Sequence, residues 1–133
     1  MKKWITVIVI MVCILSLIGC QKAKSGSEVY AFPEPTAQIE VSFYSQGAVS
    51  DIVLGSKDYN PEDLSVVAVI EWFYGLELTP CEKAEDVEGG ESYSFYVSNE
   101  LVFSYQDRGS EAYIVVSGTW YKVKNPSVPP IGV

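Results

Sequence analysis

The chemistry open to this chain is limited by what it lacks: it holds seventeen carboxylates and three cysteines but no histidine. The usual general base near neutral pH and the commonest transition-metal ligand are therefore both missing. Cys13 and Cys20 belong to an apolar N-terminal stretch, which leaves Cys81 alone in the remainder. A lone thiol needs a base to become a nucleophile, so Cys81 is expected as a packed or partly packed side chain. No cysteine pair is spaced for zinc. No Ser is followed by Lys at the third position, as a penicillin-binding-type nucleophile would require. Gly89-Gly90 reads as a turn and not as a phosphate loop. Two carboxylates facing a sugar cleft could hydrolyse a glycoside, but no spacing singles out such a pair. This inventory implies no cofactor and argues against an enzyme.

Three groups of residues could bind rather than react. The acidic segment 82–91 carries Glu82, Glu85, Asp86, Glu88 and Glu91. Hard oxygen ligands on a flexible loop suit Ca2+, which makes Glu85, Asp86 and Glu88 candidate ligands, although a solvated charged loop accounts for the same residues. The second group lies in the aromatic C-terminal half. If Phe95, Phe103, Ile114 and Tyr121 face a core, alternation sends Tyr96, Val102, Tyr113 and Trp120 to the opposite face. Exposed Tyr and Trp suit recognition of sugar or protein, so Tyr96, Tyr113 and Trp120 are candidate partner-binding residues. A one-residue slip in register would bury them instead. The third group, Glu71 and Trp72, reads as packing against a loop.

The N-terminus decides where these groups would act. Met1-Lys2-Lys3 precedes a mainly apolar run from Trp4 to Ile18, followed by Gly19-Cys20. This run of fifteen residues fits the hydrophobic region of a secretory signal and falls short of the roughly 20 that span a bilayer. Leu17-Ile18-Gly19-Cys20 resembles the bacterial lipobox. That resemblance implies a signal peptide over 1–19, a diacylglyceryl group on the Cys20 thiol, cleavage before Cys20, and a new N-terminus that can also be acylated. Two or more acyl chains give durable attachment where one does not. The chain is then expected outside the cytoplasm, anchored to the cell membrane through Cys20. Removing Lys2 and Lys3 leaves seven basic residues against seventeen acidic ones, a net charge of −10, which opposes binding to nucleic acid.

The mature chain reads as one domain with a lead-in and a tail. Residues 20–37 are expected as the lipidated cysteine and a flexible tether, polar and marked by Ser25-Gly26-Ser27, Pro33 and Pro35, with a reach of about 20–25 Å. A domain over 38–125 follows, then a Pro-rich tail over 126–133. Ile39 to Phe43 alternates as a half-buried strand, and Ile52-Val53-Leu54 could extend or pair with it. Asn60-Pro61-Glu62-Asp63 starts a helix with Asn60 as cap, running to Tyr74 and stopped by Gly75, with Val66, Val69, Ile70 and Phe73 on its apolar face. Leu76 to Cys81 reads as an edge strand or strand end, because of Pro80. Strands at 93–97, 101–105, 112–116 and 119–123 follow, with turns at Asn99-Glu100, 106–111 and Ser117-Gly118.

This order predicts an α+β fold: one helix packed on an antiparallel meander, strand, helix, then three or four strands. The order is similar to cystatin-like folds. The aromatic stretch from Tyr93 through Tyr121 to Asn125-Pro126 also resembles the C-terminal half of uncharacterised small lipoproteins of Gram-positive bacteria. The function expected is a non-enzymatic binding domain, held at the membrane by lipid, with a protein or cell-wall partner. A ligand- or cation-binding module using loop 82–91 is the second reading, and a carboxylate-based hydrolase the third.

Overall fold

The computed structural model describes residues 22–85 and 89–132. The expected signal peptide, Cys20, Asp86 and Glu88 lie outside these residues. Eight strands form a single antiparallel sheet: β1 (Lys24–Ser25), β2 (Gln38–Ser45), β3 (Ala48–Gly55), β4 (Glu77–Pro80), β5 (Glu91–Val97), β6 (Glu100–Asp107), β7 (Ala112–Val116) and β8 (Thr119–Val123). Two short helices accompany them, α1 (Gly26–Val29) and α2 (Leu64–Tyr74). The strand order is β1-β4-β8-β7-β6-β5-β2-β3.

The α+β expectation is therefore corrected to a mostly-β fold. The meander β5–β8 forms the centre of the sheet as expected, but strands are added at both of its sides. On one side Gln46 and Gly47, with φ of 51° and 80°, make a tight turn whose twist suits a two-residue hairpin. It joins β2 to β3 over the full length of both strands. On the other side β4 pairs with β8, and β1 with β4. The turn between β5 and β6 is Ser98-Asn99, both in the left-handed region, one residue before the pair expected from sequence. Ser117-Gly118 joins β7 and β8 as expected.

One face of the sheet is dry. Ile39, Val41, Tyr93, Phe95, Phe103, Tyr105, Ile114, Leu78 and Val123 are buried on it. α2 lies over this face with Val66, Val69 and Phe73 buried and Ile70 packed beside them, the stripe its periodicity predicts. Asp63, not Asn60, caps it, accepting a hydrogen bond from the Ser65 amide at 3.0 Å. Asn60 sits one turn earlier, where its side chain and carbonyl hold the amides of Glu62 and Asp63. Rings then fill the interior: Phe73 stacks on Phe103 at 4.5 Å and Phe103 on Phe95 at 4.4 Å.

Segments near both ends of the described residues join this core. Residues 20–37 were expected as the lipidated cysteine and a flexible tether, yet Phe32 is buried with its ring 5.7 Å from that of Phe73. Tyr74 Oη accepts from the Phe32 amide at 2.8 Å. Gly26 lies against the Phe73 carbonyl so closely that a Cβ there would stand 1.8 Å from its oxygen. The tail also docks: Ile131 is buried, Trp72 Nε1 donates to Ser127 Oγ at 2.8 Å, and the Ser127 amide donates to Tyr105 Oη.

Candidate functional site

Among the described residues no helix covers the other face of the sheet. The pairing fixes which side chains share it. Asp51, Ser42, Ser94, Ser104, Val115 and Trp120 form one transverse row. Ser92, Gln106, Tyr113 and Lys122 form the next. Tyr96, Tyr113 and Trp120 are all half-buried on this face, where alternation placed them. Phe95, Phe103 and Ile114 are buried on the core face, and Tyr121 packs partly against the core.

Val102 departs from that pattern. The register shifts between Phe95 and Tyr96, so that Phe95 pairs with Phe103 but Tyr96 with Leu101. Val102 is the extra residue of this β-bulge. It is buried, and it borders a concavity shared with Tyr30 and Pro33 on the core side. Leu101 is exposed instead. Strict alternation cannot anticipate a bulge.

The three candidate aromatics divide into two places. Tyr113 and Trp120 meet edge to face at 6.3 Å. Tyr96 lies two strands and four residues away from Tyr113's row, about 16 Å by strand spacing and rise, with the Ser94–Ser104 row in between. Tyr96 instead borders a concavity of about 410 Å3 with Glu40, Asp51 and Asn99.

Around Tyr113 the side chains hold one another. Its hydroxyl donates to Glu111 Oε2 at 3.1 Å, and Lys122 Nζ donates to Glu111 Oε1 at 3.2 Å. These bonds, Lys122's first, hold the Glu111 carboxyl below its ordinary range, while the accepting carboxylate pushes the Tyr113 phenol up. The Arg108 guanidinium carbon stands 5.0 Å from the Tyr113 ring centroid, a cation–π distance. Arg108 also donates to Gln106 Oε1 at 3.0 Å and to the Glu85 carbonyl. The result is a half-exposed Tyr–Trp pair flanked by one anion and two cations, already oriented for stacking and hydrogen bonding. The Glu111 carboxylate is held in place by Tyr113 and Lys122.

Arg108, Glu111 and Lys122 were not singled out from sequence. Glu111 stands two residues before Tyr113, within local reach of it, whereas Lys122 is brought to Tyr113 only by the β7–β8 register. Glu85, the described member of the candidate calcium ligands, is exposed. Its carbonyl is taken by Arg108. No cluster of three or more metal-ligating side chains forms among the described residues. Cys81 was expected to be packed or partly packed, but it is exposed. Desolvation pushes its thiol up from the ordinary value, against a smaller pull from Lys122, which disfavours the thiolate. Trp72 is packed, as expected, between the core rings and Ser127. Comparison of the chain with protein-family models, with curated proteins and with solved structures finds no match.

Proposed function

We propose that this chain is a non-enzymatic binding domain, anchored outside the cell membrane by lipid on Cys20, whose contact surface is the outer sheet face around Tyr113 and Trp120. One observation carries the binding part: two half-exposed rings in edge contact are bracketed by Arg108, Glu111 and Lys122 on a rigid sheet. Rigid amphipathic rings beside fixed polar groups are the usual centre of a recognition surface. A protein or a cell-wall glycan would offer the complementary apolar faces and hydroxyl or amide groups. The anchor part rests on the lipobox resemblance. Because residue 24 already belongs to β1, four covalent steps from Cys20 reach at most about 14 Å. The domain is thus held close to the lipid surface, not lifted off it by a long tether.

The test uses the full-length chain in its membrane. A photoreactive phenylalanine analogue replaces Trp120, and binding to purified cell-wall sacculi is measured in parallel with Tyr113→Ala and Trp120→Ala. The expected result is a discrete cross-linked product or sacculus retention, reduced at least tenfold by either alanine. Equal retention of all three proteins, with no cross-link from position 120, would reject this surface.

A further inference from the structure

The two edges of the sheet are built differently. β1 is two residues long, whereas β3 runs for eight and is an outermost strand throughout. Natural sheets protect long edges with Pro, Lys, bulges or a covering element. β3 has no Pro, no basic residue and no register shift against β2. Val49 and Val53 are 62% and 56% exposed. Hydrogen-bonded and open pairs alternate along an antiparallel ladder, beginning with the Ser45–Ala48 pair that closes the turn. The N–H and C=O groups of Val49, Asp51 and Val53 therefore point away from β2, with no strand beyond them among the described residues.

We infer that β3 accepts an extended polypeptide segment bearing Lys or Arg at alternate positions, which adds to the sheet as a ninth strand. Main-chain hydrogen bonds supply affinity in such strand addition, and alternate side chains supply choice of partner. The charge around this edge makes that choice. Asp51 and Glu40 lie on the outer face next to β3, and β2, β3 and β5 contain no Lys or Arg. A cationic strand would set one side chain beside Asp51 and extend another across Val53 toward Glu40. A second copy is opposed by the same residues, because antiparallel pairing about Asp51 sets it against its own counterpart, and like charges directly opposite destabilise a sheet. The chain's net charge of −8 adds to that repulsion. This inference goes beyond the proposed contact at Tyr113 and Trp120 and involves neither that surface nor the lipid.

The test titrates full-length protein in detergent micelles with a capped octapeptide of alternating lysine and valine. Amide hydrogen exchange is read by NMR. Exchange at Val49, Asp51 and Val53 should slow at least tenfold, and the glutamate–valine peptide should bind at least tenfold more weakly. Val53→Pro removes one outward donor while leaving the β2 ladder intact, and it should weaken binding about tenfold. Asp51→Lys should reverse the preference between the two peptides. Trp120→Ala should bind the lysine peptide as well as the wild type does, so this inference and the proposed function can fail separately. Unchanged exchange at millimolar lysine peptide would overturn it. So would equal binding of both peptides, binding that survives N-methylation of the peptide backbone, or protection of these amides by self-association without peptide.

Discussion

Phe73 sits between Phe32 and Phe103, at ring distances of 5.7 and 4.5 Å, and all three are buried. Replacing Phe32 by Ala should cost about 3–5 kcal/mol, as for other buried aromatics. Urea unfolding measures this, and a change near zero would return residues 24–37 to the role of a loose tether. The polar composition of that stretch concealed its contribution, since a single Phe between Tyr30 and Pro33 makes no period. Tyr113 and Trp120 were legible, because alternation alone sets the face of a strand residue. Val102 was not, because the bulge that turns it inward depends on pairing with another strand. Tyr93 gives a pH prediction. Burial, followed by its hydrogen bond to Glu91, pushes its phenol far above the ordinary value. A raised pKa means stability complete below the unfolded value, about 10, and lost as pH rises beyond it. Stability should fall from about pH 10 upward, and Tyr93→Phe should flatten that fall in denaturant melts at pH 8 and 11.

Among the elements, α2 and the β5–β8 meander could be read from local signals: an apolar stripe at helical spacing and alternating runs between turn residues. The cap moved from Asn60 to Asp63 because both types hold amides two residues ahead, and Asn60 uses that ability in the turn before the helix. The β2–β3 hairpin was harder to see. Gln46-Gly47 is a weaker turn signal than Asn-Gly, and β3 has too little alternation in burial to mark it. Two glycines here separate conformation from crowding. Gly47 and Gly55 have φ of 80° and 78°, but a Cβ on Gly47 meets nothing, whereas on Gly55 it would stand 2.2 Å from the Ala37 carbonyl oxygen. Gly47→Ala should cost about 1 kcal/mol, the left-handed penalty alone. Gly55→Ala should cost about 2–4 kcal/mol, because overpacking is added. Equal losses in thermal unfolding would show that Gly55 is not crowded.

At the scale of the molecule the sheet has a direction. β1 leads directly from the residues that follow Cys20, and β3 lies seven strand spacings away, about 34 Å along the sheet. A lipid on Cys20 would hold the short edge near the membrane and leave the long edge and the open face free for partners. No helix among the described residues is long and apolar enough to cross a membrane. The open face and long edge could not be assigned from sequence, because both are defined by which strands lack neighbours. Metabolic labelling with a clickable palmitate analogue, followed by fractionation of the wild-type and Cys20→Ser chains, tests the anchored arrangement most directly. The wild type should carry label in the membrane fraction, and Cys20→Ser should carry none and leave that fraction. Label retained on the Cys20→Ser chain would contradict a lipid anchor at Cys20.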